Sequence, residues 1–270
     1  MLTDRGIVDL AQADASLPRS LRGIVALGDA GIRQVEAAVA NAGAAVIPTA
    51  GATLLPPIAD PAKLICIGLN YRDHAAEVKL PLPDSLAVFA KWPNTLIGAG
   101  AAIVIPPESF RVDYEAELAF VVGRRARRVA EADALSFVFG YMNFNDVSVR
   151  DYQARTSQWT IGKVFDTHGP SGPWLVTRDE IADPQQLRVR TTIGDEVLQD
   201  SSTAEMVFGV AKIVAELSAV MTLEPGDIVA TGTPAGVGTS RNPRRWLKPG
   251  ETVRVEIDGL GVLENPVVAG

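Results

Sequence analysis

From Lys63 onward the apolar positions fall into short runs separated by Gly, Pro, Asn and Asp, the signature of a series of strands. The pattern predicts strands over Lys63–Gly68, Ala87–Trp92, Ala102–Ile105, Tyr114–Gly123, Phe137–Asn145, Trp174–Thr177, Leu187–Thr192, Val197–Ser201, Asp227–Ala230, Thr252–Ile257 and Gly261–Glu264. Gly194-Asp195 reads as a hairpin turn between two of them. One helix is predicted in this region. Ser202-Thr203-Ala204-Glu205 has the form of a capping box, and Met206, Val210, Ile213, Val214 and Leu217 follow as an apolar stripe that Pro225-Gly226 stops. Upstream, Ala- and Gly-rich sequence predicts a helix from about Gly31 to Ala42. Pro56-Pro57 and Asp60-Pro61 then break regular structure. The reading is a small N-terminal domain over 1–60 and a larger domain over 61–270, α+β in class and β-dominated. Strands and helices do not alternate, which excludes a Rossmann sheet or a TIM barrel.

The strand Val112-Asp113-Tyr114-Glu115-Ala116-Glu117-Leu118-Ala119-Phe120-Val121-Val122-Gly123 alternates acid with apolar residue. Alternation puts Asp113, Glu115 and Glu117 on one face and Tyr114, Leu118, Phe120 and Val122 on the other. Carboxylates two residues apart on one strand lie roughly 6–7 Å apart at Cα. Ionised together they repel unless a cation sits between them, and their oxygens suit a hard divalent ion such as Mg²⁺. A solvated acidic face on an edge strand would give the same alternation.

Further segments carry chemistry-bearing residues. Tyr141-Met142-Asn143-Phe144-Asn145-Asp146-Val147-Ser148-Val149-Arg150-Asp151-Tyr152-Gln153 passes from apolar strand to polar turn, with Asp146 at the junction as a ligand or an N-cap. Lys163 interrupts the apolar stretch Trp159–Phe165, which calls for carboxylate partners or an edge position facing water. His74 and Glu77 meet on one face if Tyr71–Val78 is helical, and a carboxylate-oriented histidine is a general-base arrangement. In Thr231-Gly232-Thr233-Pro234, Gly232 permits close backbone approach and the flanking hydroxyls can hold a carboxylate. His168, in a Gly-Pro-rich loop, reads as structural or as lining a substrate pocket.

In this order, Gly68-Leu69-Asn70-Tyr71 with His74 and Glu77, Asp-Tyr-Glu-x-Glu-Leu from Asp113, Asn-Asp-Val-Ser-x-Arg-Asp from Asn145, Gly162-Lys163, and Thr231-Gly232-Thr233-Pro234 resemble the fumarylacetoacetate hydrolase family. The resemblance runs from about Leu64 to the C-terminus and is nearest to the acylpyruvase-like members. It implies a mixed β-roll and one divalent cation, Mg²⁺ or Mn²⁺, held by Glu115, Glu117 and Asp146. Lys163 would stand beside the metal. Arg150, Gln153 and Thr233, with Gly232 next to it, match the substrate-contacting region. His74 and Glu77 match a catalytic dyad on a mobile lid. The family is commonly dimeric, so a homodimer is expected. Leu69 departs from the pattern: many relatives place an arginine there that meets the substrate.

Composition narrows the partners. The 270 residues are 47% hydrophobic and 21% charged, with a net charge of −7, which argues against nucleic acid. The run Arg124-Arg125-Ala126-Arg127-Arg128 reads as a solvated turn. No apolar run reaches membrane-span length, and the N-terminus lacks a signal-peptide pattern. The single cysteine, Cys66, reads as buried and is compatible with a reducing cytoplasm. The leading expectation is therefore a cytoplasmic enzyme acting on a small 2-oxo or 2,4-dioxo carboxylic acid. Its reaction would be hydrolytic C–C cleavage of an acylpyruvate, with the His74–Glu77 pair activating water and the metal and Lys163 stabilising the enolate released. The alternative is an oxaloacetate-type decarboxylase or a keto–enol isomerase, which passes through the same enolate.

Overall fold

The structure is a computed structural model that describes residues 1–270 except residue 44. The first strands, β1 (Leu2–Thr3), β2 (Gly6–Val8) and β3 (Val46–Ile47), form a small antiparallel sheet. Between β2 and β3 lie three helices, α1 (Leu10–Ala13), α2 (Leu21–Ala26) and α3 (Asp29–Ala40). Only α3 was legible as a periodic stripe. Val25 of α2 is fully buried and packs with Ile58 and Leu64 against the next sheet.

The chain continues through β4 (Leu64–Gly68), α4 (Arg72–Glu77), β5 (Ala87–Lys91), β6 (Leu96–Ile97), β7 (Ile103–Ile105), β8 (Val112–Asp113), β9 (Ala116–Val122), β10 (Val138–Asn145), β11 (Ser148–Val149) and α5 (Arg150–Gln153). It closes with β12 (Gly169–Thr177), β13 (Arg188–Ile193), β14 (Glu196–Ser202), α6 (Val210–Val220), β15 (Ile228–Ala230), β16 (Thr252–Ile257) and β17 (Val262–Ala269). A seven-stranded mixed sheet runs β5-β4-β15-β9-β10-β12-β6, and a five-stranded sheet runs β14-β13-β16-β17-β7. The β-dominated α+β class and the mixed β-roll expected from the sequence are what the structure has.

Strand β9 is central in the larger sheet, with β15 on one side and β10 on the other. Leu118, Phe120 and Val122 face a core shared with the five-stranded sheet and with Val210, Ile213, Val214 and Leu217 of α6. Ala119 and Val121 face a second core with Cys66, Met142 and Phe144. Burial of each large aliphatic or aromatic side chain contributes roughly 1.5–3 kcal/mol. Packing on both faces therefore holds β9 and the acids at its start in place.

Two expectations are corrected. The strand read as continuous from Val112 is broken: Tyr114 and Glu115 lie outside both β8 and β9. The Glu115 N–H donates instead to Asn145 Oδ1, at 3.0 Å. The helix does not begin at Ser202, because β14 runs through that residue and the Thr203 N–H still donates to Leu187 O. The Ser202 hydroxyl accepts from Ala204 N at 3.2 Å and caps only a single turn over Thr203–Glu205, while α6 starts after Gly209.

Candidate active site

The antiparallel register pairs Ala116 with Asn145 and Glu117 with Phe144. The end of β10 therefore lies across the start of β9, and Asp146, one residue past β10, arrives beside Glu115 and Glu117. Ligand atoms of these three carboxylates lie within 4.8 Å of one another. All three are buried, so a solvated edge face does not describe them. Asp146 caps no helix; its oxygens are held by two lysines.

Lys163 follows a short turn over Thr160–Gly162 and is 2% exposed, which rules out an edge lysine facing water. Its ammonium donates to Glu115 Oε2 at 2.6 Å and Asp146 Oδ2 at 2.7 Å. Arg150 opens α5 and pairs through Nη1 with Glu115 Oε1 at 2.7 Å and through Nε with Asp113 Oδ2 at 2.8 Å. Burial works against the charge on Glu115, but Lys163 and Arg150 outweigh it and push the carboxyl down to about 2. Glu117 behaves oppositely. Burial first, then the charges of Asp146 and Glu115, push it well above the usual carboxylate range. Its hydrogen bond from the protein is the Gly232 N–H, at 2.9 Å. Three converging hard oxygen ligands, one of them short of positive charge, fit a divalent cation.

His74 stands on α4, with Nδ1 3.0 Å from Glu77 Oε2. Glu77 Oε1 accepts from the Gly236 N–H at 2.9 Å, which ties α4 to the loop after β15. Burial opposes ionisation of Glu77, yet the bonds from His74 and Gly236 hold its pKa below the ordinary value.

His74, Glu115, Glu117, Arg150, Gln153, Lys163 and Thr233 all line one cavity of about 180 Å³. Leu69, Val78, Leu80, Phe89 and Trp159 form its apolar wall. Gln153 Oε1 accepts from Arg150 Nη1 at 2.9 Å. The Thr233 hydroxyl donates to Ala116 O at 2.9 Å and accepts from Gln199 Nε2 at 2.8 Å. Gly232 is engaged by Glu117 rather than turned to the cavity. With φ at 96°, a Cβ there would sit 2.9 Å from both Asn70 Cβ and Ile67 O, so the turn needs glycine. His168 lies outside the cavity. Its Nε2 donates to Val104 O at 2.9 Å, and its ring packs near Phe165.

Sequence reading left the roles of four residues of this assembly unassigned: Lys91, Asp113, Gln199 and Asn145. Lys91 donates to Asp146 Oδ1 at 2.7 Å. Asp113 orients Arg150 and accepts the N–H groups of Gly238 and Thr239. Gln199 and Asn145 accept the N–H groups of Ala116 and Glu115. Lys91 left a signal, a lysine within a predicted apolar strand. The other three are polar residues whose long-range partners no local pattern shows.

The family model described as Fumarylacetoacetate (FAA) hydrolase C-terminal matches residues 63–268. The chain is 43% identical over 270 residues to the mitochondrial oxaloacetate tautomerase fahd2 of Xenopus laevis, covering 99% of this chain and 84% of that protein. A solved fumarylacetoacetate hydrolase from Exiguobacterium antarcticum superposes with a TM-score of 0.82 at 36% identity, covering 94% of this chain and 89% of that one. A 5-carboxymethyl-2-hydroxymuconate delta-isomerase from Mycobacterium smegmatis gives 0.74 at 39% identity, over 83% and 85% of the two chains. The mitochondrial setting of the Xenopus relative overturns the expectation of a cytoplasmic protein. The physical reason is plain: Cys66 is fully buried, and a buried lone thiol specifies no compartment. Among the described residues no helix is long and apolar enough to cross a membrane.

Proposed function

The chain belongs to the fumarylacetoacetate hydrolase family, and from that premise we propose that it is a divalent-metal-dependent keto–enol tautomerase of a small 2-oxo acid, with oxaloacetate as the first candidate. The names of the relatives support this alternative over the hydrolytic C–C cleavage that the sequence alone ranked first. The observation that carries the reading is the placement of His74 and Lys163, a base and an acid, on one small cavity.

Tautomerisation moves a proton from C3 of the substrate to its 2-oxo oxygen. His74 Nδ1 is occupied by Glu77, which leaves Nε2 to take the C3 proton. Glu77 stays ionised and stabilises the imidazolium that results. Burial opposes the charge on Lys163, but Asp146 and Glu115 outweigh it and keep the side chain an ammonium. Two of its three N–H groups are used by those carboxylates, and the third hydrogen-bonds the oxygen on which charge develops, to which the proton held on His74 Nε2 is then delivered to complete the enol. A divalent ion held by Glu115, Glu117 and Asp146 would supply a Lewis acid that makes the C3 proton easier to remove. Arg150 and Gln153 would orient the substrate carboxylate, and the apolar wall would exclude water from the enol.

The test follows the ultraviolet absorbance of enol-oxaloacetate as it relaxes to the keto form, with purified protein and Mg²⁺ or Mn²⁺. Acceleration that a chelator abolishes is expected. Pyruvate release from acylpyruvates without any acceleration of oxaloacetate tautomerisation would overturn the reading in favour of hydrolysis.

A further inference from the structure

Lys91 ends β5, and its side chain is wholly buried. Its ammonium donates to Asp146 Oδ1 at 2.7 Å and to Val147 O at 3.3 Å. Strand pairing with Leu64 fixes its backbone. Lys163 lines the cavity and takes the other oxygen of Asp146, Oδ2, at 2.7 Å, whereas Lys91 reaches the carboxylate from outside the cavity lining. A buried ammonium carries a large desolvation cost. Lys163 is shared between Asp146 and Glu115, so Lys91 adds to the charge balance of Asp146, and it does so through one oxygen only, Oδ1.

We infer that Lys91 is a positioning residue that withholds Asp146 Oδ1 from a bound cation and thereby sets which divalent ion the site prefers. The inference rests on the metal site proposed above. With Oδ1 locked to an ammonium that is itself tied to the Val147 carbonyl, Asp146 can offer one oxygen and no more. Small ions such as Mg²⁺ are satisfied by single oxygens in a near-octahedral set, whereas Ca²⁺ takes six to eight oxygens and often binds carboxylates through both. The lock therefore disfavours Ca²⁺.

Isothermal titration of chelator-treated protein with Mn²⁺ and with Ca²⁺ tests this. Wild type should bind Mn²⁺ at least about tenfold more tightly than Ca²⁺. Lys91→Met, which frees Oδ1, should reduce that ratio at least about fivefold through tighter Ca²⁺ binding, and Lys91→Arg should preserve it. Lys91→Leu, which likewise offers Oδ1 no donor, gives the same reading if the Met variant does not fold. A merely structural role would shift both affinities together, and an unchanged ratio in a folded Met or Leu variant overturns the inference. Wild type that prefers Ca²⁺ overturns it with no variant needed. Absence of binding heat for either ion in wild type would overturn the metal site itself, and the inference with it.

Discussion

Glu77 holds His74 from one side and is itself held from the other: Oε2 lies 3.0 Å from the imidazole Nδ1, and Oε1 accepts the Gly236 N–H at 2.9 Å. The carboxylate thus fixes both the ring orientation and the tautomer that leaves Nε2 free for the cavity. If His74 is the base, His74→Ala should lower turnover by about 10²–10⁴-fold. Cation affinity should stay near wild type, because the ligands stand on other elements. Turnover within a few-fold of wild type would move the base role to Lys163.

Glu117 is the carboxylate whose charge is least compensated. Glu117→Gln keeps the shape and the contact to Gly232 but cannot offer a negative charge to a cation. Cation binding and turnover should be lost, while the thermal midpoint of the metal-free protein should not fall, since burial and the charges of Asp146 and Glu115 already favour an uncharged group there. A variant that binds Mn²⁺ like wild type would refute the ligand assignment.

Much of this arrangement was legible because strands report themselves locally. Alternation along Glu115–Val122 and turn residues such as Gly194-Asp195 located the ladder, and His74 and Glu77 were readable three residues apart. What was illegible depends on the third dimension. Ser202 carries a helix-start signature, yet the ladder hydrogen bond from Thr203 to Leu187 overrides it and extends the strand. The guanidinium of Arg127, in a run read as solvated, donates to Ser218 O and Ala219 O at the end of α6, a contact between segments far apart in sequence.

That exchange of roles has a measurable consequence. Ser202→Ala should cost no more than about 0.5 kcal/mol, the scale of a surface substitution. Arg127→Ala removes charged donors from the C-terminal carbonyls of α6 and should cost roughly 1 kcal/mol or more. Urea midpoints of the two variants decide the matter, and the reverse order would return the helix start to Ser202.

His168 links burial to pH. Desolvation lowers its pKa from 6.5 to about 4, only partly offset by its bond to Val104 O. The folded protein therefore refuses a proton that the unfolded chain accepts. The resulting stability is fully present above the ordinary pKa of 6.5 and is lost as pH falls toward 4. A shift of that size is on the order of 3 kcal/mol. Unfolding of His168→Gln should show a shallower loss of stability than wild type between pH 7 and about 4. Parallel curves would show that His168 is protonated without penalty in the fold.

Leu69 stands where the family resemblance leads one to expect an arginine. The backbone at Leu69 is left-handed, with φ at 52°, and its side chain joins the apolar wall of the cavity. Leucine and arginine bear the same strain at that φ, so exchanging them leaves the backbone cost unchanged. The difference is chemical. Leu69→Arg would place a cation opposite the carboxylate floor, within reach of the distal end of a longer substrate. A charged hydrogen bond contributes about 1.5–3 kcal/mol. The ratio of kcat/KM for a 2,4-dioxo acid ending in a carboxylate to that for its alkyl counterpart should therefore rise by roughly tenfold or more. An unchanged ratio in a folded variant would show that position 69 does not meet the distal group, and that Leu80 or Trp159 sets the choice of substrate instead.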